Sequence, residues 1–251
     1  MPVIDQQRIS DGFLTLERGI DAGKSPSLLP RNQAAFAVNA TMRGGYVKTR
    51  PAFNNIPLVF TAVEQSDAEA MQSNFKTGKF QGGYTYQYGD KTFLVCGVGG
   101  YIYRIDPKSG EVMDITPKKN GAADINPSDI PYFFFQQAEE YLVIQDGISL
   151  PIIFNGASSR RADLKNNEVP VGTAMAYGNG RLWVARGREF VAGDIVGGPT
   201  SVIRFTENTY IAEGGAFAVP LDTGDITAMK FVSQPDSSLG QGELLVHTLK
   251  A

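Results

Sequence analysis

The stretch "GYTYQYGDKTFLVCGVGGYIYRID" at 83–106 decides how the rest of the chain is read. Three runs rich in Tyr, Val, Ile and Phe are separated by "GD" and "GVGG", each run too short for a helix and the first two closed by glycine, so the stretch is expected to form antiparallel strands joined by tight turns. Its apolar triplet "FLV" at 93–95 recurs as "YLV" at 141–143, "LWV" at 182–184 and "LLV" at 244–246. Each triplet follows another strand-like segment: "PYFFFQQAEE", "TAMAYGNGR" and "TAMKFVSQPDSSLGQGE" precede the last three. Three of the four are followed by a further strand, "GYIYRID", "LPIIFN" and "EFVAGDI", closing near Asp106, Asn155 and Asp194.

The valines at 95, 143, 184 and 246 lie 48, 41 and 62 residues apart. The first two intervals suit units of about 40–50 residues, as in propeller blades; the third suits a unit with an insertion, "GGPTSVIRFTENTYIAEGGAFAVPLDTG". A small antiparallel sheet cannot bury both faces alone, and radial stacking of several sheets solves this. The fold class expected is therefore mainly β, with propeller-like antiparallel sheets over 56–251, preceded by an extended N-terminal arm and docking segment over 1–55. A sandwich or barrel with similar hairpins is the alternative. Val95, Val143, Val184 and Val246 are expected to be buried at equivalent positions of successive sheets. The fourth unit lacks its next strand, which points to an incomplete propeller or a fragment of a longer protein. Helical spacing appears over 32–42 and at "SDAEAMQSNF", 66–75, giving one or two short helices.

The composition bounds the function. The chain has 251 residues, 42% of them hydrophobic, and a formal charge of -3. That balance lacks the basic field of a tight sequence-reading DNA binder. One cysteine, Cys96, forms no internal disulfide, and "MPVIDQQRISDG" has no secretory pattern, so synthesis in a reducing cytoplasm is expected. The apolar run "IPLVFTAV" falls far short of the roughly 20 residues of a membrane helix.

Motifs with chemical potential fail on spacing. In "GIDAGKS" only three residues separate Gly19 from Gly23, one fewer than a phosphate loop requires, and Pro26 follows. "CGVGG" at 96–100 reads as a tight turn. Cys96 and the single histidine, His247, each follow a repeat valine and are expected on different sheets, as packing residues and not as a nucleophilic pair. One His and one Cys do not make a standard zinc site. Glu139 and Glu140 belong to a turn or to opposite strand faces, and "YFFF" at 132–135 reads as core. No cofactor, metal or catalytic residue is expected. The alternative, a propeller that binds or hydrolyses glycans, would use Asp106, Asp146, Asp194 and Asp225 near strand ends, where turn formation competes for the same carboxylates.

The segment "GIDAGKSPSLLPRNQAAFAVNATMRGGYVKTRPAF", with Ser-Pro-x-Leu-Leu-Pro, Arg-Gly-Gly and a closing Arg-Pro, resembles the N-terminal region of bacteriophage virion proteins, closest to the nozzle-like tail proteins of short-tailed phages. "YGNGRLWVARG", "FTENTY" and "EGGAFAVPLDTGDITAM" resemble later phrases of such proteins. The resemblance implies a non-enzymatic virion subunit with a β-propeller, forming a homo-oligomeric ring, a hexamer, at the end of the tail. It implies neighbouring tail or adaptor proteins and non-specific passage of DNA through the channel during ejection. The mild acidity suits a conduit that must release DNA. Read from its residues, the arm is stiffened by Pro26 and Pro30 and held extended. Leu28, Leu29 and Phe36 offer apolar anchors, and Arg31, Arg43 and Arg50 offer forked donors to a neighbouring subunit. Packing of the arm on its own domain is the competing reading.

Overall fold

The computed structural model describes residues 20–30, 33–41, 48–49, 55–62, 64–198, 200–206, 217–232 and 242–250. The chain divides into two compact units, Met1–Asn55 and Ile56–Ala251. It is mainly β, built from several antiparallel sheets, and the described residues form neither a closed barrel nor a closed propeller.

In the first unit, Pro26–Leu28 form one turn of 3-10 helix. Ser25 and Leu29, each preceding a proline, are extended, with ψ of 138° and 139°. The segment is thus bent where a fully extended arm was expected: each proline straightens the residue before it, but Pro26 itself has a φ that a helical turn accepts. The helix expected over 32–42 is also absent among the described residues there. Ala34 bridges to Ile20, Asn39 has a left-handed φ of 52°, and β1 (Ala40–Thr41) pairs with β2 (Lys48–Thr49). The Asn and the local pairing outweigh the Ala-rich helical spacing.

The second unit opens with β3 (Val59–Phe60) and α1 (Gln65–Thr77). The helix contains no β-branched residue before its last position, has Asp67 in its first turn and Lys76 in its last, and so favours its own dipole. Gly78 ends it, its N–H bonding Asn74 O at 2.8 Å; a Cβ at Gly78 would lie 2.7 Å from that oxygen. Four meandering sheets follow. β4 (Phe80–Tyr88), β5 (Lys91–Val98), β6 (Tyr101–Ile105) and β7 (Glu111–Asp114) form the first, with β3 added parallel to β7. After the small hairpin of β8 (Lys118–Lys119) and β9 (Ala122–Ala123), the second holds β10 (Phe134–Ala138), β11 (Tyr141–Gln145), β12 (Ile152–Phe154) and β13 (Ser159–Arg161). The third holds β14 (Ala174–Gly178), β15 (Arg181–Arg186), β16 (Glu189–Ala192) and β17 (Phe217–Ala218), and the fourth pairs β18 (Ile226–Phe231) with β19 (Leu244–Thr248).

Within each sheet the first strand is an edge, and these edges approach in sequence: β4 beside β10, β10 beside β14, β14 beside β18. Apolar layers fill the joints between sheets. Tyr86, Phe93, Val95 and Ile102 meet Phe133, Leu142, Ile144 and Phe154; Val143 and Ile153 meet Met175, Leu182 and Val184; Ala174, Ala176 and Ala185 meet Ile226 and Met229. The far face of the first sheet is covered by α1, whose Met71 and Phe75 pack with Cys96, Tyr103 and Val112. Phe75 sits edge-on to Phe60 and Tyr103 at 5.5 and 5.2 Å. The insertion between the third and fourth units supplies a 3-10 turn, Ser201–Ile203, that buries Val202 and Ile203 on the second joint, and it supplies β17.

All four triplets lie in strands, one per sheet, but their valines are not equivalent. Val95 and Val143 face the following sheet, whereas Val184 and Val246 face the preceding one. Val143 is the third residue after its hairpin turn and Val184 the fourth, and with a side-chain period of two a one-residue slip turns the side chain to the other face. Val246 is only half-buried, while the other three are buried. "YFFF" is not wholly core either: Tyr132 is exposed, and the strand begins at Phe134.

Candidate functional site

Among the anchors expected on the arm, Leu28 and Phe36 are each 74% exposed and Leu29 is half-buried. Arg31, Arg43 and Arg50 lie outside the described residues. Ile20 and Val38 are also exposed, and no residue of the first unit whose burial is described is buried. What orders the segment is polar and local. Asp21 N–H bonds Ala34 O at 2.9 Å, Asp21 Oδ1 accepts from Gly23 N–H at 3.0 Å, and Lys24 pairs with Asp21 at 3.2 Å. Lys24 first and then the Gly23 N–H lower the Asp21 pKa. "GIDAGKS" is thus a short turn closed on its own aspartate.

The acids considered for glycan chemistry stand apart on different sheets, and two of them close turns. Asp106 Oδ1 accepts from Lys108 N–H at 2.8 Å after β6, as Asn155 Oδ1 accepts from Ser158 N–H at 2.8 Å after β12, so the same turn chemistry recurs at the same place in two sheets. Asp146, buried after β11, accepts from the N–H groups of Ile148 and Ser149 at 2.8 and 2.6 Å, from Ser149 Oγ at 2.7 Å and from Asn126 Nδ2 at 2.6 Å. Burial alone would raise its pKa; those donors outweigh it and hold the carboxyl below its ordinary value. Asp194 accepts from Thr206 Oγ1. Asp225 is exposed.

Cys96 and His247 stand in different sheets: Cys96 is buried under α1, its thiol pushed up to about 11 by burial, and His247 is exposed on β19. Among the described residues, no group of three or more His, Cys, Asp or Glu is placed to hold a metal ion, and no helix is long and apolar enough to cross a membrane.

The concave feature that sequence reasoning missed lies where the β4–β5 hairpin faces the β10–β11 hairpin. A cleft of about 860 Å³ is lined there by Tyr88, Asp90, Lys91, Arg104, Glu139 and Glu140, with Gln87, Gln137 and Phe93 among its walls. Gln137 ties the two hairpins together: its Nε2 donates to Gln87 O at 2.8 Å and its Oε1 accepts from Gln87 N–H at 3.0 Å. Tyr86 OH donates to Glu140 O at 2.5 Å, and Tyr177 OH donates to the Glu139 carboxylate from the third sheet. Burial and the Glu139 charge raise the Tyr177 pKa, so the phenol stays a donor. The Arg104 guanidinium lies 4.5 Å from the Phe93 ring centroid and donates to Gly156 O at 3.3 Å.

The signal for this site was in the turns. The β14–β15 hairpin has the favourable Asn179-Gly180 and the β4–β5 hairpin has Gly89, yet the β10–β11 hairpin places Glu139 at a left-handed φ of 51°. Glutamate is a poor choice there on backbone grounds, and its carboxylate is what reaches Tyr177. In comparisons with known proteins, no family model and no curated protein matches the chain.

Proposed function

We propose that this chain is a structural subunit of a phage tail, a nozzle-like ring component around the DNA exit channel, with its second unit built as consecutive blades of a β-propeller. The reading adds a ring architecture to the motifs of the N-terminal segment. The observation that carries it is the first unit: its described residues have defined backbone contacts, none whose burial is described is buried, and Leu28, Phe36 and Val38 are each more than two-thirds exposed. A two-stranded pairing without a core is marginal in water, so such a segment gains its stability from a surface outside itself. Residues 1–55 carry seven Lys and Arg against four Asp and Glu, and residues 56–251 carry 16 against 22. Opposite charge on the two parts favours head-to-tail association of successive copies, which closes into a ring when the rotation allows. The blade reading is supported by four sheets that begin with adjacent edge strands and share apolar joints in sequence order.

The test is native mass spectrometry of the full chain beside a Leu28→Ala/Phe36→Ala variant, with circular dichroism on both. The full chain is expected to form one defined ring. The variant should keep its β spectrum and lose the ring, because a loss of about 1–2 kcal/mol per contact recurs at every interface. A full chain that stays monomeric, or a variant that assembles as well as the parent, refutes the reading.

A further inference from the structure

We propose that the cleft between the β4–β5 and β10–β11 hairpins is a binding site for a neutral saccharide. This does not rest on the ring reading, since every lining residue belongs to the second unit.

The cleft, at about 860 Å³, falls within the roughly 300–1,000 Å³ of small-ligand sites. Its groups select the ligand by exclusion. An anion would meet the carboxylates of Asp90, Glu139 and Glu140; a cation would meet Lys91 and Arg104; an apolar molecule would strip water from all five without replacing its hydrogen bonds. A neutral polyhydroxyl ligand satisfies both signs at once, because each hydroxyl donates to a carboxylate and accepts from an ammonium or amide. The groups that would do this are free: the side chains of Asp90, Lys91 and Glu140 are exposed and make no hydrogen bond or ion pair among the described residues. They come from both hairpins, so they reach a ligand from two sides.

An aromatic face completes the set. Tyr88 is 41% exposed, and its ring is fixed from behind: it stacks beside Tyr86 at 6.2 Å and packs on Gly156, where a Cβ would lie 2.6 Å from the ring. A rigid ring with one open side suits the C–H face of a pyranose. The frame is preorganised as well. Gln137 holds Gln87 by two hydrogen bonds, Tyr86 OH holds Glu140 O, and Arg104 lies over Phe93. A ligand therefore meets walls whose ordering cost is already met within the fold.

The test is a two-dimensional amide NMR titration of the full chain with maltose, cellobiose, lactose and N,N′-diacetylchitobiose as separate probes, and with acetate and glycine betaine as ionic and zwitterionic comparators. At least one disaccharide is expected to move the Gly89 and Gly156 resonances saturably, with a Kd of about millimolar order. Asp90→Asn/Glu140→Gln should weaken that binding about tenfold, and Tyr88→Ala or Lys91→Ala should weaken it too, with the remaining resonances in place. No shift at those glycines with any of the four sugars overturns the proposal, as does undiminished binding by the double variant. So does a comparator that titrates the cleft when no sugar does.

Discussion

β11, "YLVIQ", and β19, "LLVHT", are each the second strand of a sheet and carry nearly the same apolar start, yet they are buried very differently. Every residue of β11 after Tyr141 is buried, while β19 alternates half-buried and exposed. The difference lies in what stands on either side. β11 is flanked by the first and third sheets, so Leu142 and Ile144 fill one joint and Val143 the other. β19 meets the third sheet through Leu244 and Val246, and its other face, with Leu245 and His247, is exposed. A strand's own sequence sets which residues can be core; the stacking on its second face decides whether they are.

The largest effect should come from breaking that contrast with one chemical change. Leu142, 0% exposed, and Leu245, 44% exposed, are both the middle residue of their triplets. Leu142→Ala should cost about 2–5 kcal/mol in urea unfolding, and Leu245→Ala should stay within about 0.5 kcal/mol. Comparable losses at both positions would mean that the outer face of the fourth sheet is covered in solution.

A steric version sharpens the same comparison. Gly97 in β5 admits the Phe133 ring so closely that a Cβ would lie 2.1 Å from it, and a Cβ at Gly178 in β14 would lie 2.4 Å from the Phe231 ring. Gly97→Ala should destabilise by about 1–3 kcal/mol, because Phe133 is locked between two sheets. Gly178→Ala should cost less, since half-buried Phe231 belongs to the sheet with the open face. Thermal melting of the two variants reads the difference.

The smallest effect is electrostatic and contrasts a buried turn acid with a half-buried one. The Asp146 carboxyl is held below its ordinary value, so it stabilises the fold fully above the unfolded-state value of about 3.9. That contribution is lost as pH falls through the lower folded-state value. The stability gap between the parent and Asp146→Asn should therefore be widest near neutrality and should close in acid. Asp106, lowered chiefly by Lys108 N–H but only half-buried, should give a narrower gap with the same sign. A gap at Asp146 that widens on acidification would contradict the hydrogen-bond assignment.

Legibility followed the range of the interactions. Strand positions, the Gly99-Gly100 turn and the helix over 65–77 depend on near neighbours, and the sequence pattern found them. The turn role of Asp106 was legible for the same reason. The phase of the valines was not, because one extra residue between turn and triplet reverses a face without disturbing the triplet. The would-be helix at 32–42 failed where Ala34 pairs with Ile20, a contact that helical spacing does not encode. The cleft escaped because Asp90 and Glu140 are fifty residues apart and meet only once Gln137 has tied β10 to the backbone of Gln87. In the first unit Leu28 and Phe36 are exposed, and the three candidate arginines fall outside the described residues.

Among the described residues the apolar joints connect sheets that are consecutive along the chain, and this has a bearing on synthesis. As the polypeptide leaves the ribosome, α1 and the first sheet emerge together and can close one face without waiting for later residues. Every later sheet then finds a finished apolar template on the one before it. Growth can proceed by sequential addition at one end, with little long-range search at any step. The nascent chain would expose one unfinished face at a time, and after β19 emerges that face carries Lys230 and His247 beside Leu245.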